Sequence, residues 1–164
     1  MLMDASQSPR ANTARSSLLE RPGFLIRRLH QIHCALFLEE TRDFNITPVQ
    51  YSLLTTLADR GELDQVGLAT EIGLERTSVA EVIHRLEVRE LVSRRRSESD
   101  RRVKLVKLER KGRALVKRVD AAAQRAHDRT IDALPEPERA ALMSQLVRLV
   151  EANNDKGKAP FRMS

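Results

Sequence analysis

Apolar residues recur along most of this chain at helical spacing. Leu25, Leu29, Ile32 and Leu36 fall at i, i+4, i+7 and i+11, and Ile26, His30, His33 and Phe37 form a second stripe beside them. So wide an apolar face predicts a buried or dimer-forming helix. It starts near Pro22, since proline suits a first helical turn. Asp43–Asn45 breaks the pattern. Thr47-Pro48 then supplies an N-cap and a proline at the first helical position. The second helix runs to about Arg60, with Val49, Leu53, Leu54 and Leu57 inward, and stops at Gly61. A third helix spans about Asp64–Ile72 and a fourth about Arg76–Glu90. Leu91–Ser93 and Val103–Leu108 read as strands around the polar turn Ser97-Glu98-Ser99-Asp100, a hairpin with a basic tip. From Gly112, the residues Leu115, Val119, Ala122, Ala126 and Ile131 keep helical spacing to Leu134. Pro135 and Pro137 interrupt it. Glu136 and Glu138 open a last helix at its positive end, and Leu142, Leu146, Leu149 and Val150 give it an apolar face.

The third and fourth helices carry the spacing of a helix-turn-helix. Two closely crossing helices need a small side chain, and Ala69 supplies it. Four residues on, Gly73 accepts the positive φ of the turn. Six further, Val79 presents a β-branched residue to the first helix, followed by Val82, Ile83 and Leu86. An ordinary helical hairpin is the alternative reading of this spacing. The opposite face of the fourth helix carries Arg76, Thr77, Ser78, Glu81, His84 and Arg85. Arginine reads guanine O6 and N7, and glutamate accepts from cytosine N4, so this face suits the major groove. Glu81 and Arg85 also stand four apart, and helix support is their simpler role.

Charge strengthens the helix-turn-helix reading. The net charge is +6, yet Arg94–Arg118 holds twelve basic residues against three acids, which leaves the remainder of the chain at minus three. Concentrated positive charge marks a polyanion partner; a solvated basic face is the bland alternative. The hairpin tip carries Arg94, Arg95, Arg96, Arg101, Arg102 and Lys104, suited to the focused negative potential of a minor groove. Asp100 is placed to hold Arg102. The segment lacks aromatic anchors for a membrane surface. The chain has no Trp, one Tyr and four Phe, too few for base-stacking platforms. No apolar run approaches a membrane span, and the opening MLMDASQSPR lacks the apolar core of a secretory signal. A soluble cytoplasmic protein is expected. Cys34, the single cysteine, forms no intrachain disulfide.

These motifs resemble the MarR family of bacterial regulators from about Pro22 to Asn153. Gly73-Leu74, RLEVRELVSRR and SDRRVKLVKLERKGRAL are similar to the family's wing signature, in which Asp100, Arg102, Leu108, Gly112 and Arg113 match. Glu109 stands where the family usually has a threonine that caps the next helix. TPVQYSLLTTLA and LPEPERAALMSQLVRLVEANN are similar to the family's second and last helices. The resemblance implies a mainly α fold with a small β wing: a winged helix-turn-helix domain plus a helical dimerisation region made by the N- and C-terminal helices. It implies a homodimer on double-stranded DNA with a pseudo-palindromic operator, and a small effector bound between the two parts that usually relieves repression. The expected division is a disordered leader (1–20), an N-terminal dimerisation helix (21–46), the winged helix-turn-helix domain (47–109), C-terminal dimerisation helices (110–154) and a flexible tail (155–164).

For the effector, Arg27, Arg28, His30, His33 and Phe37 on the first helix and Tyr51 on the second are the candidates. Arginine and histidine suit a carboxylate or phosphate, while Phe and Tyr suit an aromatic ring, so an anionic aromatic acid or its coenzyme A thioester is expected. In the competing reading, both arginines are surface residues and both histidines serve packing or dimer contacts. His30 and His33 have metal-ligand spacing but lack an obvious completion, so no metal and no cofactor are expected. Cys34 lies in an apolar helix, where a small buried hydrophobe is the simpler role than a redox sensor. Phosphate-loop, nucleophile-elbow and metalloprotease motifs are absent, so no enzyme is expected. A non-specific or architectural DNA-binding protein and a thiol-sensing regulator remain the alternatives.

Overall fold

The computed structural model describes residues 16–163. Most of the expected disordered leader, residues 1–15, lies outside them. Its last part departs from expectation: Ser17–Glu20 forms a 3-10 turn, with the Ser16 hydroxyl accepting from the Leu18 amide.

Six helices and three short strands follow: α1 (Pro22–Glu40), α2 (Pro48–Arg60), β1 (Leu63–Asp64), α3 (Gln65–Ile72), α4 (Arg76–Val88), β2 (Val92–Arg96), β3 (Lys104–Leu108), α5 (Arg110–Ile131) and α6 (Glu136–Asn153). The start of α2 is set locally. Thr47 accepts from the Gln50 amide, the Gln50 side chain accepts from the Thr47 amide, and Pro48 occupies the first turn. Asp64 caps α3 by accepting from the Gly67 amide at 2.7 Å. The sheet order is β1-β3-β2, antiparallel throughout, with Val92 opposite Leu108 and Arg96 opposite Lys104. β1 was not expected; two residues carry no periodicity, and they become a strand only by pairing with Leu105 and Val106.

The core collects Leu53, Leu54 and Leu57 of α2, Leu68 and Ala69 of α3, Val79, Ile83 and Leu86 of α4, and Val106 of β3. Phe37 and Val119 extend it along α1 and α5. Val49, expected inward, is exposed, because the three buried leucines already fill the α2 face. The expected apolar faces of α1 and α6 are present but largely uncovered: Leu25, Leu29 and Ile32 on α1 and Met143, Leu146, Val147, Leu149 and Val150 on α6 are exposed, and α6 buries no residue. Ion pairs join α1 to α5, with Glu40 meeting Arg125 at 2.8 Å and Arg129 at 2.7 Å. The two guanidiniums hold the Glu40 carboxyl below its ordinary range. No helix among the described residues is long and apolar enough to cross a membrane.

The segment after α6, expected as a flexible tail, instead folds back. A 3-10 turn (Asn154–Lys156) redirects it, and the Arg162 amide donates to the Thr70 carbonyl at 3.0 Å. That carbonyl lies in the last turn of α3, where helix carbonyls lack intrahelical partners.

Gly112 is the tightest fit at the root of α5. A Cβ there would run into the Leu91 carbonyl oxygen and come within 2.7 Å of Leu108 Cδ1. Because the obstacle is backbone, Gly112→Ala is expected to cost about 3 kcal/mol, the upper end for overpacking. Urea unfolding will measure it; a loss under about 1 kcal/mol would contradict this packing.

Candidate nucleic-acid interface and effector cavity

The turn between α3 and α4 is built as its spacing predicts. Gly73 adopts φ +63°, and the Leu74 amide donates to the Ala69 carbonyl at 3.0 Å. Ala69 and Val79 are buried at the helix crossing. On the other face of α4, Arg76, Thr77, Glu81, His84 and Arg85 are exposed and Ser78 is half-buried. Glu81 and Arg85 form the expected i,i+4 pair.

In the wing, Asp100 grips Arg102 with both oxygens, to Nε and to one terminal nitrogen at 3.1 Å each, and also accepts from the Arg102 amide. These bonds hold the Asp100 carboxyl below its ordinary range. The Arg102 side chain remains 91% exposed, so its unpaired donors point to solvent. Arg96, Arg101 and Lys104 are exposed beside it. Arg94 and Arg95 differ. Arg94 pairs with Glu87 at 3.4 Å, and Arg95 donates from Nε to both oxygens of Glu62 at 3.0 and 2.9 Å. This second pair pins the wing to the loop before β1 and lowers the Glu62 titration. Sequence alone did not signal the pair. Glu109, in the place of the capping threonine, makes no cap bond to α5. Its carboxylate accepts from the Ser93 hydroxyl and lies 3.6 Å from Lys107, and the Ser93 bond lowers its titration.

A cavity of about 440 Å³ opens where α1, α2, α3 and α5 converge, within the range of small-molecule sites. His33 and Phe37 enter it from α1, Tyr51, Ser52 and Thr55 from α2, Glu71 and Ile72 from α3, His127 from α5, and Phe161 from the returning segment. Three of the six expected effector residues, His33, Phe37 and Tyr51, are therefore brought together. The other three are not. Arg27 lies over the Phe24 ring, Arg28 faces Gln31, and the His30 ring sits 3.6 Å from the Cys34 sulfur. None of the three lines the cavity. Cys34 itself is half-buried rather than buried. Among the described residues, no group of three or more His, Cys, Asp or Glu is arranged to hold a metal ion.

The cavity is polarised. The Thr130 hydroxyl donates to the Ala126 carbonyl at 2.7 Å, so it accepts from His33 Nδ1 at 2.9 Å. A neutral His33 thus keeps Nε2 as an acceptor. Its ring stacks on His127 with centroids 5.0 Å apart. Burial, then the neighbouring His127 and His30, lower the His33 titration. The Tyr51 hydroxyl donates to Asp120 at 3.3 Å, and burial followed by Asp120 raises its titration. Sequence reasoning missed His127, Glu71 and Phe161. Phe161 left one signal, an aromatic residue in an otherwise polar end segment.

A small-residue helix crossing, a positive-φ turn, an exposed basic helix face and an acid-braced arginine hairpin define a winged helix-turn-helix protein. Residues 46–104 match the MarR family. Over 152 residues the chain is 28% identical to the HTH-type transcriptional repressor NicR of Pseudomonas putida, covering 93% of this chain and 96% of that one. Bordetella bronchiseptica BpsR, whose DNA binding is regulated by 6-hydroxynicotinic acid, superposes with a TM-score of 0.78. It is 31% identical, over 83% of this chain and 97% of BpsR. The transcriptional repressor CouR, solved on a 23-mer DNA duplex, gives a TM-score of 0.76 at 33% identity, over 81% and 94% of the two chains. The chain belongs to the MarR family of transcription regulators.

The His33 environment sets a pH dependence. Its folded-state titration lies below the ordinary 6.5, so the unfolded chain takes up this proton first on acidification. Stability contributed by neutral His33 is full above pH 6.5 and shrinks as the pH falls through the lower folded value. The thermal midpoint of the wild type should therefore drop more between pH 7.5 and 5.5 than that of His33→Gln. Parallel pH profiles would contradict it.

Proposed function

We propose that this chain is a ligand-responsive, sequence-specific repressor acting as a homodimer. The observation that carries the reading is the adjacency of two surfaces on α3 and α4. One is the exposed face of α4 with its Asp100-braced wing; the other is an aromatic-lined cavity bounded by the last turn of α3. In this reading Arg76, Thr77, Ser78, Glu81, His84 and Arg85 face the major groove. Arg96, Arg101, Arg102 and Lys104 address the adjacent minor groove and phosphates, while Arg94 and Arg95 brace the wing. The uncovered apolar faces of α1 and α6 are the dimer frame, which spaces two reading heads about one helical turn apart on a pseudo-palindrome.

The effector is a compact planar aromatic that enters beside Phe37, Tyr51 and the His33–His127 stack. His33 Nε2 suits a ring hydroxyl or protonated ring nitrogen. Support comes from BpsR, which responds to 6-hydroxynicotinic acid, and from CouR of Rhodococcus jostii RHA1, solved with p-coumaroyl-CoA at 26% identity and a TM-score of 0.71. A compact aromatic acid suits a cavity of about 440 Å³ better than a bulky thioester does.

The test is a gel shift with the DNA upstream of the chain's own gene, titrated with 6-hydroxynicotinic acid, 4-hydroxybenzoate and p-coumaroyl-CoA. An aromatic acid is expected to release the DNA. Arg102→Ala should weaken binding at least tenfold, and affinity should fall steeply with salt through counterion release. Equal affinity for scrambled DNA at moderate salt would replace the regulator reading with a general DNA-coating protein. Light scattering at micromolar concentration should give the dimer mass; a stable monomer would remove the proposed frame.

A further inference from the structure

We infer that the segment after α6, Asn154–Met163, is a working arm of the effector site. Its Phe161 ring forms one wall of the cavity, and its backbone ties that wall to the helix-turn-helix, so that occupancy reaches α4 through the arm. The inference rests on the effector reading above and adds a residue and a route to it.

Phe161 lies between the cavity and the turn that aims α4. On one side it faces the space lined by Phe37, Tyr51 and His127. On the other it packs on Gly73, where a Cβ would stand 3.1 Å from Phe161 Cδ2 and 3.4 Å from its Cβ and Cγ. Gly73 holds φ +63°, so it is required twice: by the left-handed backbone and by the ring seated on it. Two bonds dock the arm on α3 and a third shapes it from within. The Arg162 amide caps the Thr70 carbonyl at 3.0 Å, the Arg162 guanidinium meets Glu71 at 3.1 Å, and the Asn154 side-chain amide donates to the Phe161 carbonyl at 2.8 Å. Glu71 is nearly buried and also holds Arg60 at 3.3 Å, which joins the arm to α2 as well as α3. A docked segment with a backbone bond, an ion pair and a seated ring is part of the fold.

A planar ring entering the cavity packs against Phe161, since aromatic pairs favour offset or edge contacts at 4.5–7 Å. The Phe161 ring has no free space toward Gly73. A push toward Gly73 is therefore passed to the α3–α4 turn or lifts the arm from Thr70. Both routes change the constraint on the first residues of α4, and neither requires the ligand to touch α4. The segment that sequence periodicity marks as a tail thus sets both the aromatic specificity of the site and its connection to DNA.

The experiment uses the full-length dimer, Phe161→Ala, Phe161→Leu, a deletion of residues 158–164, and Tyr51→Ala as a cavity control. Hydrogen exchange at the amides of residues 69–76 is followed without ligand, and release of upstream DNA by 6-hydroxynicotinic acid is titrated by gel shift. The deletion and Phe161→Ala are expected to speed exchange at these amides about tenfold or more. Phe161→Ala should raise the acid concentration needed for half-release at least fivefold, with Phe161→Leu in between; Leu decides the matter if the Ala variant does not fold. Exchange unchanged in both the deletion and the ring variant overturns the arm. Release unchanged in the ring variants but lost in Tyr51→Ala overturns the arm and leaves the effector reading standing. Wild-type DNA that the acid does not release, or release that Tyr51→Ala does not alter, overturns the effector reading and the inference with it.

Discussion

The structure depends on how the first turn of α5 meets the end of α4 and the wing. Gly112 lies over the Leu91 carbonyl with room for a hydrogen and nothing larger, and the same carbonyl accepts from the Glu109 amide at 3.0 Å. Arg113 reaches back to the Leu108 carbonyl at 2.7 Å. Leu91 and Leu108 are both buried beneath this junction. One carbonyl therefore fixes the positions of β2, β3 and α5 relative to one another. Since α5 is bound at its far end to α1 through Glu40, Arg125 and Arg129, it behaves as a stiff lever between the wing and the first helix.

The cavity lies alongside that lever, on the side where α1 and α2 approach it. Its walls come from four helices and the returning segment, and no single element would shape it alone. Within it, charge is held at the edges: Asp120 is engaged by Tyr51, and Glu71 by two arginines. The rest of the wall mixes aromatic and imidazole surface with the hydroxyls of Ser52, Thr55 and Thr56. Such an interior favours compact, flat molecules over extended or highly charged ones.

Much of this was legible in the sequence because it is locally encoded. The Thr47-Pro48 start, the Ala69–Gly73–Val79 crossing and the Asp100–Arg102 brace are short-range patterns, and each appears in the structure as its spacing predicts. What was not legible depends on distant partners. The two-residue β1 exists only against β3, and Glu62 gains its role from an arginine more than thirty residues on. Arg27 and Arg28 carry the right chemistry for an anionic ligand, but helix phase turns them away from the cavity, and a charge inventory does not register phase. His127 and Phe161 belong to the site only because α5 and the returning segment pass beside α1 and α2. The end segment misled for a related reason: its polar composition resembles a free tail, while a backbone bond, an ion pair and one ring are enough to seat it.

On the DNA-binding reading proposed above, the ion pairs of α4 and the wing bear on how quickly the protein would find a target. Arg85, Arg94, Arg95 and Arg102 are each engaged by an acid of the same chain, Glu81, Glu87, Glu62 and Asp100. A guanidinium already neutralised by a neighbour adds little to the indiscriminate pull of a phosphate backbone, because fewer counterions are released when it arrives. Non-cognate stretches would then be left quickly. At a matching site a base edge or a narrowed groove would compete for the donors of Arg85 and Arg102, which Glu81 and Asp100 orient. On that reading the acids within this basic surface would shorten dwell time on non-matching duplex, a kinetic form of selectivity that net charge alone would not reveal.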